Sequence, residues 1–537
     1  MSSPARRSSL LLLLLILYQQ IGRSFASKVQ WTTCQPGEFT TNITIQCATL
    51  QVPLDYSSSS DKNDNNTNKM IDLHLVRIPA LVQPSKGSIQ LNFGGPGEPT
   101  RETAVALGPL LQVGTGTTIP FVCTKDAFTV GQILDEVGRS SLESDTAERR
   151  LWERARVDAD ICAQSGNGNE TGPYIGTAYV ARDMMRVAEA LDEDGMLRYW
   201  GFSYGTTLGA TLAAMFPDRI DRMVIDGVQN PHEYYHAQAD FEEWTDSDAV
   251  FSYFFSSCLT AAPGRCALAT LNKTAAQLEK DTWEFIESLR QAPIPAGSIL
   301  IDMGAFKNFI IGELKFAGGW PDLSALLSVL VYGTPQEKVR VLEAIVDEAS
   351  KTQQLGPSSF DVVASLWGIH CGDRTVRLGS FEAQQKDGVF SRLYKTSRLV
   401  GDVVTQITAH CAQWPWHARE TYSGDFRIRT KNPILVASNL RDSHTPLKSA
   451  LNVSAGFEGS GLLQVNGTGH ATLNVPSVCG FLATVAYWVN GTLPKLGQVC
   501  QAPHPFDPYT WADVLTQVTG TNTTTSQKRA LHPRWWR

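Results

Sequence analysis

The stretch Leu197-Arg198-Tyr199-Trp200-Gly201-Phe202-Ser203-Tyr204-Gly205 constrains the fold more than any other: a strand-like run ends in Gly-x-Ser-x-Gly and opens into Thr206–Phe216, which has helical composition. A serine at such a strand-to-helix elbow sits in a strained backbone conformation, and neighbours without Cβ atoms let a carbonyl approach its hydroxyl. The helix N-terminus behind it points N–H groups at the same spot, so negative charge developing on an oxygen there is stabilised. Pro217 closes the helix, and Arg222-Met223-Val224-Ile225-Asp226 follows as a second strand at the spacing of a βαβ unit. Ser203 is the first candidate nucleophile.

With 537 residues, 42% of them hydrophobic, the chain can bury a large core: one domain with a sizeable insertion, or two domains. Its net charge of −7 is spread without long basic blocks, which excludes nucleic acid held by counterion release. Arg6 and Arg7, the apolar run Leu10–Tyr18 and Ser24-Phe25-Ala26 read as a secretory signal cleaved after Ala26. That run is far shorter than the ~20 residues that span a bilayer, so no stable membrane insertion is expected.

Ten cysteines, an even number, agree with an oxidising compartment. Proximity suggests Cys34 with Cys47, Cys258 with Cys266, Cys371 with Cys411 and Cys479 with Cys500, leaving Cys123 and Cys162. Glycosylation sequons stand at Asn42, Asn65, Asn169, Asn272, Asn452, Asn466, Asn490 and Asn522. A glycan on Asn466 would crowd the candidate base described below.

In chain order, Ile43–Val52 and Ile71–Pro79 are strand-like around a loop at 57–68, and a third strand, Gly87–Phe93, runs into Gly94-Gly95-Pro96-Gly97. Glycine-rich backbone after a strand can turn N–H groups toward an oxyanion. Leu142–Asp160 reads as an exposed helix and Val180–Leu191 as an amphipathic one. From His232 to Asp425 aromatic clusters and helical periodicity dominate, as for a lid inserted into an α/β core. The core resumes at Pro433–Ala437 and Gly461–Val465. The expected organisation is a signal peptide (1–26), core (27–231), helical lid (232–425), core (426–505) and a disordered tail (506–537).

A serine hydroxyl needs a histidine to take its proton, and the histidine needs a carboxylate to set its tautomer. Asp442 and His470 both follow late strands, where an open α/β sheet collects catalytic groups. The order Ser203, Asp442, His470 is that of α/β-hydrolases. Asp425 and Asp373 are weaker candidates for the acid, and His444 is expected to point away from Asp442. His232-Glu233-Tyr234-Tyr235-His236 has the letters of a zinc motif, but no third ligand is evident, so no metal or other cofactor is expected.

The chain resembles the secreted tripeptidyl aminopeptidase-like branch of the α/β-hydrolases, relatives of prolyl iminopeptidase, across most of residues 34–500. The resemblance rests on Cys47–Tyr56, Gly94–Gly97, the elbow, Asp226-Gly227-Val228, Asp442–Pro446, and Gly469-His470 followed by Pro476-Ser477-x-Cys479. It implies release of short peptides or single residues from free N-termini, with the Gly95 and Tyr204 N–H groups as oxyanion hole. One departure stands out. Such proteins carry a strand ending in Asp-x-x-Gly between the oxyanion loop and the first core cysteine, whereas here Leu110-Leu111-Gln112-Val113 passes straight to Gly114-Thr115-Gly116.

The expectation is a secreted, monomeric serine exopeptidase acting on peptides. The alternatives are a carboxylesterase or other acyl hydrolase, and an inactive secreted binding protein. Glu233, Glu242, Glu243, Asp246 and Asp248 are the lid acids that could hold a substrate ammonium.

Overall fold

Successive strand residues face opposite sides of a sheet, so a run that is apolar throughout must be covered on both faces. Such runs pair in the computed structural model, which describes residues 28–520 apart from 40, 42, 57–68, 81–82, 112–120, 122, 298 and 353–358. The signal segment, the 57–68 loop, the junction at Gln112 and the last part of the tail lie outside the described residues.

The strands are β1 (Thr32–Thr33), β2 (Gln46–Pro53), β3 (Met70–Arg77), β4 (Gln90–Asn92), β5 (Leu197–Phe202), β6 (Ile220–Asp226), β7 (Ile294–Ala296), β8 (Ile299–Ile301), β9 (Leu435–Arg441), β10 (Gly461–Thr468) and β11 (Val499–Gln501). Six of them form the central sheet in the order β11-β10-β9-β6-β5-β4, every pairing parallel. Met223 and Ile225 of β6 and Val436 of β9 pack with Leu208, Leu212 and Ala450 from the helices Tyr204–Met215 and Leu447–Gly456. The alternate residues Val224, Leu435 and Ala437 face Tyr487 of the helix Val478–Asn490 on the other side. Full burial of each large aliphatic chain is worth about 1.5–3 kcal/mol, so this two-faced pattern fixes the register.

Between β6 and β9 the chain is almost entirely helical, with only the β7–β8 hairpin among the described residues. This insertion has its own aromatic core, including Phe251, Phe254, Phe255, Trp283 and Trp320. All ten cysteines pair: Cys34–Cys47, Cys123–Cys162, Cys258–Cys266, Cys371–Cys411 and Cys479–Cys500.

Two expectations need correction. The charged stretch near 142–160 is a helix at Ala147–Gln164 that buries Leu151, Trp152, Ala155 and Cys162, so it is not an exposed helix. The tail is ordered as far as the helix Trp511–Thr519; Phe506 is fully buried against Phe254 and Trp320. Beside the central sheet, β1, β2 and β3 form a separate antiparallel sheet. Between that sheet and β4 lies a cavity of about 240 Å³ lined by Leu75, Ile78, Ile89, Val187 and Leu191.

Candidate active site

At the elbow Ser203 adopts φ 55°, ψ −127°, a conformation that costs a non-glycine residue energy and that the surrounding sheet must hold in place. Its N–H donates to the Asp226 carbonyl at 3.1 Å, tying the turn to the end of β6. The flanking glycines have a different reason from the one expected. A Cβ on Gly201 would lie 2.2 Å from the Gly205 carbonyl oxygen, and one on Gly205 2.7 Å from the Asn92 carbonyl oxygen. They let the nucleophile helix press backbone to backbone against β5 and the end of β4.

Asp442 and His470 emerge from the ends of β9 and β10, and His470 Nδ1 lies 3.1 Å from both Asp442 carboxylate oxygens. Asp442 is fully buried and accepts from the N–H groups of His444, Thr445 and Ala471 and from the Thr445 hydroxyl. Burial alone would raise its pKa, but the His470 charge and these donors outweigh that and hold it below the ordinary value. With Nδ1 turned to Asp442, Nε2 is the ring nitrogen that faces away from the acid.

The loop after His470 is strapped to the elbow. Thr472 donates its N–H and hydroxyl to the two Asp226 oxygens at 2.7 and 2.6 Å, next to the carbonyl that receives the Ser203 N–H. Burial raises the Asp226 pKa to about 6 despite those bonds. Asn439 holds the Gly469 and Ala471 carbonyls through its side-chain amide. The insertion also reaches in: the Lys315 carbonyl accepts the His470 N–H at 2.8 Å, and the Ser247 hydroxyl donates to the Ser443 carbonyl. The site is thus clamped from both sheet and insertion.

Gly94 and Gly95 have φ of 109° and 100°, the left-handed region in which glycine alone is unstrained. A Cβ on Gly94 would lie 2.8 Å from the Ser203 Cβ, so this loop is pressed against the elbow. Tyr204 is the first residue of its helix, and its N–H has no partner within it.

His444 meets Asp442 through its backbone N–H and not through a side-chain hydrogen bond. Its ring lies 5.2 Å from that of His470, its Nδ1 meets the Ser443 hydroxyl, and Trp244 packs edge-on against it. Burial, together with the nearby Lys315 and His470 charges, pushes its pKa well down, so it stays neutral. Asp373 is buried against Thr177 and Tyr234, and Asp425 caps the Arg427 N–H; neither is bonded to His470. The zinc-like letters are dispersed: His232 meets the Asp425 carbonyl, His236 the Thr375 hydroxyl, and Glu233 the Glu242 N–H. Asn466 lies in β10 with its amide bonded to Arg441 and Gln501, engaged with protein on both sides.

The insertion's acids separate by environment. Glu242 is occupied by Asn230, Ser449 and Asn452, and Asp248 caps the turn at Ser397–Leu399. Glu243 differs: its Oε2 accepts from the Gln229 amide, whose oxygen accepts from Thr207 and whose backbone N–H donates to Thr206. Thr206 and Thr207 lie in the first turn after Ser203, so this carboxylate is pinned to the nucleophile helix. Burial and the Asp240 charge push its pKa well up. Glu98, raised by burial, and Lys315, lowered by it, interact electrostatically with each other. Nothing in the sequence singled out Gln229, Glu98 or Lys315.

A family model described as the alpha/beta hydrolase fold matches residues 148–258, which hold the elbow, and one described as TAP-like protein matches 397–500, which hold Asp442 and His470. The chain is a serine hydrolase of the α/β-hydrolase fold. It is similar to a tripeptidyl aminopeptidase of Streptomyces coelicolor, 25% identical over 90% of this chain and 87% of the relative. It is also 25% identical to the serine protease Hip1 of Mycobacterium tuberculosis, over 88% of this chain and 91% of that one. Carboxylesterase B of the same organism is 26% identical over 88% of this hydrolase and 90% of its own length. Among the described residues of the hydrolase no helix is long and apolar enough to cross a membrane.

Proposed function

We propose that this hydrolase is a secreted serine exopeptidase that releases short peptides from free N-termini. The observation that carries the reading is the buried Asp442–His470 pair, strapped through Thr472 and Asp226 to a strained serine at a strand-to-helix elbow. His470 Nε2 takes the Ser203 proton as Oγ attacks the peptide carbonyl, and Asp442 stabilises the imidazolium. The Gly95 and Tyr204 N–H groups receive the oxyanion. The proton then passes to the leaving amine, an acyl-enzyme remains, and water activated by His470 releases the N-terminal fragment.

Glu243 is the acid that receives the substrate ammonium in this reading. Burial and the Asp240 charge make it costly to ionise, and a cation beside it offsets that cost through a charge-assisted hydrogen bond. The test compares tripeptide chromogenic substrates with free and acetylated N-termini. Acetylation abolishes cleavage, and Glu243→Gln raises KM for the free substrate by on the order of tenfold, as for one charge-assisted bond. Equal rates on free and blocked peptides would move the reading to an esterase or endopeptidase; the similarity to a carboxylesterase makes the esterase the second reading.

A further inference from the structure

On the face of the central sheet away from the nucleophile helix lies a cavity of about 330 Å³. Its walls include Trp200 of β5, Val465 of β10, Leu473 from the turn after His470, and Phe481, Thr484 and Trp488 of the helix Val478–Asn490. Three tryptophans line it, and their indole N–H groups have different fates. That of Trp511 donates to the Leu473 carbonyl at 2.7 Å. Those of Trp200 and Trp488 are buried without an acceptor, and the two rings lie 6.0 Å apart.

An indole N–H can only donate, and buried donors are nearly always paired. Two unmade bonds beside one cavity call for an acceptor that enters it. The cavity's hydroxyls are already committed: Thr472 to Asp226, Ser477 to the Gln501 carbonyl and Thr484 to the Gly480 carbonyl. Among the described residues no charged side chain lines the cavity, so an ionised ligand would be buried uncompensated. An apolar cavity of roughly 150 Å³ takes up benzene, so one about twice that size holds about a dozen heavy atoms. The approach is apolar as well. Leu482, Val485 and Val489 are 47%, 37% and 53% exposed at i, i+3 and i+7 of one helix, on a face where a surface helix ordinarily carries polar residues.

We propose that this cavity binds a neutral, largely apolar molecule of about a dozen heavy atoms bearing one oxygen acceptor, such as a ketone or ester carbonyl, received by the Trp200 and Trp488 N–H groups. The site is independent of the peptidase reading, because the sheet separates it from the catalytic cleft.

The probe is 2-acetylnaphthalene, followed by its own and tryptophan fluorescence, against 2-ethylnaphthalene, which has the same rings without oxygen. Enzyme whose serine has been blocked with a fluorophosphonate is used throughout, so that the catalytic cleft does not contribute. The ketone binds on the order of tenfold more tightly than the hydrocarbon, as two net hydrogen bonds imply. Trp488→Phe removes one donor and brings the two ligands within about threefold of each other. Thr484→Phe, which fills the cavity, weakens both by more than tenfold; Val485→Trp, which narrows its mouth, is the second filling variant if the first folds poorly. Retained fluorophosphonate labelling of the unblocked variants reports folding. Absence of saturable binding, equal affinity for ketone and hydrocarbon, or unchanged binding in a folded filling variant would each overturn the proposal.

Discussion

Asp442→Asn is the sharpest test of the catalytic geometry, because every group facing this carboxylate is a donor. Its two oxygens receive the His444, Thr445 and Ala471 N–H groups, the Thr445 hydroxyl and His470 Nδ1. An asparagine supplies one acceptor and one NH₂. With its oxygen in place of Oδ1, toward the His444 and Thr445 N–H groups, the NH₂ faces the Ala471 N–H, and that amide loses its acceptor. With the reverse placement two backbone N–H groups lose theirs. The less costly placement leaves one buried donor unmade, so the variant should lose about 1–3 kcal/mol of stability. The NH₂ also turns His470 Nδ1 into an acceptor, which moves the ring proton to Nε2, the position that must accept the serine proton. Turnover should then fall by about 10⁴, or ~5 kcal/mol of barrier, with KM little changed. The measurements are kcat on a free tripeptide anilide, with active sites counted by fluorophosphonate, and urea unfolding. A variant within tenfold of wild-type kcat, or as stable as wild type, would refute the account of Asp442.

Ser203→Ala should lower turnover by on the order of 10⁶ and abolish fluorophosphonate labelling while the protein stays folded, since a triad acts as a unit. His470→Ala should be almost as severe and His444→Ala much milder; the opposite order in kcat would reassign the base. Stability should rise as the pH falls from 8 to about 6.5. Burial raises the Asp183, Glu233 and Asp373 pKa values to about 7, so the folded state holds protons that the unfolded state releases. Their combined contribution over that interval is roughly 2 kcal/mol. Below it the gain is opposed by His370 and His444, which burial keeps neutral in the folded state and which charge on unfolding. Calorimetry decides: a Tm that is flat or falls from pH 8 to 6.5 contradicts this balance.

The candidate catalytic positions are each marked in the sequence by local backbone demands: a glycine-flanked serine between strand and helix, and an acid and a histidine in loops after late strands. Sequence proximity likewise suggested the four short-range cysteine pairs and left the fifth by remainder. What could not be read are interactions set by tertiary approach. Gln229 and Glu243 are tied to the first turn after Ser203 only because the start of the insertion folds back over it. The Lys315 carbonyl reaches His470 across 155 residues of chain. Composition misled where a few apolar residues decide the outcome. Leu151, Trp152 and Ala155 bury one side of a helix rich in charge, and Phe506 and Trp511 order a segment whose flanks are rich in threonine.

The gap between β3 and β4 predicts a longer transcript. Both strands rest on the helix Thr177–Ala190: Leu75 packs with Val187 and Ala190, and the Gln90 side-chain amide donates to the Met184 carbonyl. Yet among the described residues β3 pairs only with β2, and β4 only with β5. A cavity of about 240 Å³ lies between the two sheets, and buried N–H and C=O groups normally find partners. In the chain the departure near Gln112 follows β4, where similar proteins carry a strand ending in Asp-x-x-Gly. A five-residue strand bonded on both sides would join the two sheets into one. It would add up to about ten hydrogen bonds, through its five N–H and five C=O groups, on the order of 10 kcal/mol at about 1 kcal/mol each. Transcripts sequenced across the codons for residues 110–114 should include a form encoding such an apolar segment, and the longer protein should unfold at higher urea than the short one. Finding only the short form, together with a soluble enzyme that turns over tripeptides, would show that the split sheet is the native arrangement.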